Sequence, residues 1–513
     1  MCLHLFKSNY ARLILGVHVY ALVTFGATFW IDSLAYIQLA DALRFENGLA
    51  EFYAAGGRWI YSHIQAGLPV VWLTLNLLPE SLRWPVLALF QHIVAAGALF
   101  FTINTINRYW PTRLHFITLL ILLFLPAYQS FHNALLTESL TSSLLLIAFA
   151  SCLRIAFDLK FQARYFFIVL AALMLITQFR SYWGLAVTGM LFVTLLRRRL
   201  VWSFWTPVLL VTALASATAF PIYRYTQMGE LFLPEGGMNI LISGFQVNSK
   251  PSDVARSAFS GIQFPPEAQP SILFDKGLDW LTALKIAKTW QDSGLSNSAI
   301  NKRATELGSA LRNDGSGIQL NRVIYGIASL GSVEIFTFGN KERQVFRGMS
   351  TEKMFEHQVY YYRWHSWISN DNYEATFASF FNPTPISTLP FEHTAKSQIK
   401  SAWEPYLSVA PGFLRDPFLL GKLPPDVWLL LGLMSLTILL WRIPFVALLL
   451  SCSIVIVFFT SAWFPLGNTR YANPLIPLYI LSTSIAMGSF LKNSSYFRKV
   501  STGSGGESVM FEK

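Results

Sequence analysis

Charge is scarce in this chain: Asp, Glu, Lys and Arg make up 13% of its 513 residues, against 53% hydrophobic ones. Soluble globular domains carry about 25% charged residues, so the shortage excludes that class. Acids are scarcer than bases, 28 against 39, leaving a formal net charge of +11. In a soluble protein such an excess would suggest a nucleic-acid partner. Here Lys and Arg flank apolar runs, where the charge asymmetry of membrane loops accounts for them, and no nucleic acid is implied. Cysteine is nearly absent: Cys2 is at the extreme N-terminus, and Cys152 and Cys452 sit inside apolar blocks. They give neither a disulfide framework nor metal spacing, and the nine histidines show no ligand pattern. No tandem repeat is visible. No small-residue cleavage site follows the first apolar stretch, which is therefore expected to be a retained span.

What the chain has is apolar blocks of span length, a mean hydropathy of +0.43, and 15% aromatic residues, many of them Trp and Tyr near block ends, where interfacial belts form. The expected fold class is mainly α, a polytopic helical membrane protein with about ten transmembrane helices. The spans are Leu13 to Trp30, Trp84 to Ile106, Leu114 to Tyr128, Leu140 to Phe157, Tyr165 to Phe179, Gly184 to Leu196, Trp202 to Tyr223, Val427 to Trp441, Ile443 to Phe464 and Ala472 to Leu491. Several fall short of the ~20 residues of a perpendicular span and must borrow flanking residues or lie in thinned bilayer. Alternation through them gathers Lys7, Arg12, Arg108, Arg113, Arg154 to Arg164, Arg197 to Arg199, Arg442, Lys492, Arg498 and Lys499 on one side, which must be the cytoplasm. Asp32, Glu138, Arg180 and Arg470 then face the other way. The stretch Gly67 to Pro79 is too short to cross and reads as an interfacial or re-entrant helix in the first external loop.

The expected organisation is an N-terminal transmembrane module (1–223) whose first external loop is 31–83, a water-facing extracytoplasmic domain (224–425), C-terminal transmembrane helices (426–491) and a Ser- and Gly-rich tail (492–513). Within the second unit, Leu278 to Leu311 carries a helical pattern.

Four small polar constellations fall at outer span ends: Asp32-Ser-x-x-Tyr36, Asn133-x-x-x-Thr137-Glu138-Ser139, Thr177-Gln-Phe-Arg180-Ser-Tyr182, and Asn468-Thr-Arg470-Tyr471-x-x-Pro474-x-x-Pro477. Lying at one depth on one face, they can converge on a cavity at the membrane surface, as a charged lipid substrate would require. Asp32 is either a base or the N-cap of a helix over Ser33 to Arg44. Glu138 has the same two readings at the head of the fourth span. Arg58, Arg180, Arg470 and Tyr471 can serve as interfacial anchors at these span ends. In the run Tyr360 to Trp367, Tyr361 and Trp364 either stack on an acceptor or pack in a core.

Asp-Ser-x-x-Tyr after the first span, Thr-Glu-Ser-Leu heading the fourth and Arg-Tyr-x-x-Pro-x-x-Pro opening the last resemble the polytopic glycosyltransferases of the GT-C fold. Within that group the pattern is similar to the bacterial relatives of protein mannosyltransferases and lipid A aminoarabinose transferases. The resemblance covers roughly two-thirds of the chain and leaves the large external interval unmatched. It implies inverting transfer of a sugar from a polyprenyl-phosphate donor to a protein, glycan or lipid acceptor on the outer side of a bacterial inner membrane. It further implies Asp32 and Glu138 as catalytic carboxylates, Asp32 as the base, with Arg58, Arg180, Arg470 and Tyr471 at the donor phosphate, and Tyr361 and Trp364 at the acceptor. Many relatives place two adjacent acids in the first loop. Here Ser33 follows Asp32, so a divalent metal is possible but not indicated, and no cofactor is assigned with certainty. The competing classes are a lipid or glycan transporter or flippase, which should carry polar residues at span midpoints and broken helices, and a non-catalytic envelope assembly protein.

Alternation makes a direct prediction. Cysteines placed near Gly315 should react with an impermeant reagent in intact cells, whereas those near Arg198 and Ser504 should not. Labelling at Arg198 would invert the topology and put Asp32 on the wrong face.

Overall fold

The computed structural model of the protein describes residues 9–25, 31–46, 48–54, 64–230, 233–248, 250–278, 280–314, 323, 330, 425–463 and 473–501. Among these residues the fold is mainly helical and holds no β-strand. Helix α1 (Asn9–Phe25) is followed by three short helices, α2 (Ile31–Ala42), α3 (Gly48–Ala54) and α4 (Gly67–Leu75). Then come α5 (Glu80–Tyr109), α6 (Leu114–Leu123), the single turn α7 (Pro126–Gln129) and a 3-10 turn at Ser130–Asn133. Helices α8 (Thr137–Phe157), α9 (Ala163–Phe179), α10 (Ser181–Arg197) and α11 (Trp205–Met228) complete the first half of the bundle. A second group, α12 (Glu235–Val247), α13 (Asp253–Ser257), α14 (Pro270–Lys276), α15 (Trp280–Asp292) and α16 (Asn297–Arg312), precedes α17 (Pro425–Arg442), α18 (Pro444–Trp463) and α19 (Leu475–Ser501).

Among the described residues three helices, α5 from Pro85, α8 and α11, are long and apolar enough to cross a membrane. Helices α6, α9, α10, α17, α18 and α19 carry shorter apolar stretches. Helix α8 is the hub. Its sequence interleaves Leu and Ile with Ser, Thr and Ala, whose small side chains let α5, α9 and α10 approach closely. From Leu140 to Leu146 every residue is buried.

The expected span Leu114 to Tyr128 is broken. Helix α6 stops at Leu123, and Pro126, which has no N–H to give, starts the separate turn α7. The irregular backbone that leads into α8 is tolerated because it lies inside protein: Phe131 and Ala134 to Leu136 are all buried. The first-loop stretch at Gly67 is a helix of 9 residues, α4, too short to cross as expected. Helix α11 runs on past Arg224 to Met228 and ends at Gly229, whose φ of 69° is the left-handed geometry that favours glycine at a helix end.

The two ends of the bundle differ in chemistry. At one end Asp158 accepts from Tyr109 Oη at 2.7 Å and pairs with Arg108 at 3.0 Å, while Arg198 donates to the carbonyls of Ile155 and Asp158. Arg197 lies between the rings of Phe157 and Phe445, 4.7 and 5.0 Å from their centroids, and so joins α10 to α18. The opposite end carries Thr137, Glu138 and Arg180.

Residues 233–314 pack around an apolar cluster of their own, centred on Met238, Ile242, Phe259, Trp290 and Leu307. The helical pattern read over Leu278 to Leu311 resolves into α15 and α16. Asp314 ties the ends of this unit together, accepting from the Ser252 side chain and, at 2.6 Å, from its backbone N–H. Those bonds hold its carboxyl below the usual carboxylate range.

Helices α12 and α16 cross backbone to backbone. A Cβ on Gly244 would stand 2.8 Å from the Gly308 oxygen, and one on Gly308 would stand 2.5 Å from the Ile240 carbonyl. Backbone cannot move aside as a side-chain tip can, so Gly308→Val should destabilise this unit by about 1–3 kcal/mol or more. The effect should register as faster protease cleavage within 233–314 and a lower Tm. Unchanged cleavage would show that the two helices can separate freely.

Candidate functional site

The site begins where α8 begins. Leu136 is extended, with φ −141° and ψ 157°, and offers no side-chain cap, and Thr137 and Glu138 stand in the first turn of α8. Arg180 is the single extended residue between α9 and α10, with φ −150° and ψ 99°. Helix reversal at this point sends its guanidinium across to α8. Nε donates to Thr137 Oγ1 at 2.8 Å, Nη2 pairs with Glu138 Oε1, and Nη1 donates to Tyr182 Oη at 3.4 Å. The Glu138 side chain is 2% exposed and that of Arg180 11%, so Arg180 is not a snorkelling anchor. A guanidinium spread over three acceptors is fixed in plane, which a lysine could not reproduce.

The first loop is fastened to the same place. Ser33 Oγ donates to the Leu135 carbonyl at 3.0 Å, bridging 102 residues to a point two positions before Thr137. Gly67, at the start of α4, lies so close to α9 that a Cβ there would stand 2.6 Å from the Gln178 oxygen. Gln178 in turn donates from Nε2 to the Ser216 carbonyl at 2.7 Å and joins α9 to α11. On the far side of the loop, Arg224 of α11 lies over the ring of Tyr53 in α3, 5.8 Å from its centroid. Burial pushes the Tyr53 phenol up to about 12 in spite of the nearby guanidinium.

Three of the four polar constellations therefore meet: the segment from Asp32, the segment Asn133 to Ser139, and the segment Thr177 to Tyr182. Not every member faces the site. Thr177 Oγ1 donates back to the Leu173 carbonyl at 2.7 Å, and Tyr36 is buried in the apolar core. Asp32 is the second residue of α2, inside the first turn and not ahead of it as an N-cap would be, a position where a carboxylate interacts favourably with the helix dipole. Its side chain lies outside the described residues. So do Arg58, Arg470, Tyr471, Tyr361 and Trp364, and with them residues 468–471 of the fourth constellation, of which Pro474 and Pro477 are described and buried.

Sequence reading missed two features. Arg224 stood only as the boundary of the external domain, yet it is a buried cation against the first loop. The second feature is a convergence of histidines that no linear spacing reveals: His18, His92 and His132 meet in the bundle interior, with Asn133 and Ser139 as hydrogen-bond partners. Among the described residues no group of three His, Cys, Asp or Glu side chains is arranged to hold a metal ion.

Comparison with known proteins finds no matching family model, no similar curated protein and no similar solved structure.

A buried pair makes a sharp prediction. Glu138→Gln leaves the Arg180 charge without its counter-ion and should cost about 3–5 kcal/mol, whereas Glu138→Gln combined with Arg180→Met should recover much of that loss. Thermal unfolding in detergent measures both. A double variant no better than the single one would mean that the pair is not energetically coupled.

Proposed function

We propose that the chain is a membrane glycosyltransferase of GT-C type, with about ten spans in a bacterial inner membrane. It moves a sugar from a polyprenyl-phosphate donor, with inversion, to a protein, glycan or lipid acceptor on the extracytoplasmic side. The observation that carries this reading is the Ser33 bond to Leu135. It fastens the residue next to Asp32 three positions from Glu138 and thereby brings two acids from separate constellations to one end of the bundle, beside a fixed guanidinium.

The chemistry needs those groups. An acceptor hydroxyl is a weak nucleophile at neutral pH, and Asp32 takes its proton as the bond to the sugar forms. The leaving phosphate gains negative charge in the transition state, and arginines stabilise it through paired hydrogen bonds. Arg58 and Arg470 with Tyr471 are assigned to that task. Arg180, engaged with Glu138, sets the shape and charge of the cavity wall. Tyr361 and Trp364 are assigned to the acceptor. Because phosphate departs readily, one carboxylate suffices and no metal step is required.

One observation favours a transporter or flippase instead: the break between α6 and α8, together with the buried histidines on α1 and α5, matches the interrupted helices and mid-span polar groups of that class. Asp32→Asn separates the two. Asparagine keeps the size and helix-end preference of aspartate but removes the base, so protein yield should hold while sugar transfer falls by about a hundredfold or more. The assay is mass spectrometry of envelope proteins and glycolipids from cells with wild-type, variant or no gene. Unaltered glycan profiles in all three would end the transferase reading.

A further inference from the structure

His18 on α1, His92 on α5 and His132 on the 3-10 turn before α8 have ring centroids 5.2, 5.3 and 5.5 Å apart. All three side chains are buried. Their hydrogen bonds define how the protons are placed. His92 Nε2 faces the Asn133 carboxamide oxygen at 3.1 Å and donates to it, so His92 Nδ1 is a lone pair. His18 Nδ1 stands 2.9 Å from that lone pair and must donate to it, which leaves His18 Nε2 bare. His132 Nδ1 meets Ser139 Oγ at 2.8 Å. Neither His18 Nε2 nor His132 Nε2 has a hydrogen-bond partner.

The scheme is complete with neutral rings. A proton can enter at the bare Nε2 of His18, and among the described residues no acidic side chain faces the three rings to balance its charge. Tyr128 stacks edge-on to His132 at 4.6 Å and to His18 at 6.3 Å, and Gln91, Gln129, Asn133 and Ser139 complete the shell. The charged groups on the packed elements are engaged elsewhere. Glu138 is paired with Arg180, and Arg108 of α5 is held by Asp158 at the far end. Arg12 and Tyr20 share α1 with His18, six and two positions away. The remaining histidine nearby, His115 of α6, is turned to Ser484 and the Trp110 carbonyl. A second proton would set like charges little more than 5 Å apart in a medium of low dielectric.

We infer that the three histidines form an acid-sensitive latch: neutral, they pin α1 and α5 to the turn that leads into Thr137 and Glu138, and charged, they release that turn. Gln91, which donates to the carbonyls of His132 at 3.2 Å and Ala134 at 2.7 Å, is then the tie that remains from α5. The latch regulates the geometry of the outer site whichever substrate that site takes.

Hydrogen exchange on the full chain in lipid nanodiscs tests it, between about pH 8 and pH 5, where histidine changes charge, after correction for the intrinsic pH dependence of exchange. Protection of peptides covering 130–139 should fall on acidification by up to about tenfold per pH unit for each proton taken up. Peptides from α9 should keep theirs. His18→Gln and His92→Gln should each flatten that dependence by about one proton. Should either variant fail to fold, the shape of the wild-type profile replaces it: protection should be level above the ordinary histidine range and fall only below it, because the released rings take up the protons. Protection that does not change with pH overturns the latch. So does loss that persists unaltered in both variants, or loss that begins well above the histidine range.

Discussion

A carboxylate and a guanidinium taken out of water each cost several kcal/mol, and only a close, hydrogen-bonded pairing offsets that cost. The Glu138–Arg180 pair answers this constraint, and much of the surrounding architecture serves it. Helix α8 must start beside the reversal between α9 and α10, because Arg180 reaches three acceptors from there. The backbone before α8 must be irregular, since a continuous helix through 124–136 would carry Glu138 to another height and face. That irregular backbone must be wrapped in protein, which is why α1, α5 and the first loop close over it.

The first loop is thereby more than a connector. Ser33 is bonded to the backbone that feeds α8, Gly67 abuts the end of α9, and Tyr53 lies under Arg224 at the end of α11. Two of these contacts fix a short helix of the loop to a long one, α4 to α9 and α3 to α11, and the third fixes α2 to the backbone that feeds α8. A loop held at three points is a rigid surface, and pre-organised surfaces lose little entropy when something binds.

How much of this was legible in the sequence depends on whether the signal is local. Helices α5, α8, α9 and α11 announce themselves because apolar runs with polar ends are a property of consecutive residues. The failure of Gly67 to Pro79 to cross could be read from its length alone. The break after Leu123 was less visible, because Pro126 was only two residues from an expected span end and apolar residues continue on both sides of it. The polar constellations were found by their position at span ends, and their meeting was expected from a shared face. The details were not. Arg180 read as a phosphate ligand or an anchor, and its tie to Glu138 went unseen, because the sequence does not show that α9 and α10 reverse in one residue. Histidines at 18, 92 and 132 looked unrelated because only folding makes neighbours of α1, α5 and a turn between helices. Arg224 was hidden by lying where a hydropathy plot ends one unit and starts the next.

The C-terminal helices dock on the first half of the bundle through contacts of their own. His115 is bonded to Ser484 at 2.8 Å, and Arg197 lies against Phe445. Sequence distance and spatial neighbourhood are therefore decoupled: residues 369 positions apart share a hydrogen bond. The bundle is cross-braced, with α19 tied to α6 and α18 to α10, and both braces must be given up before the last three helices can leave the rest.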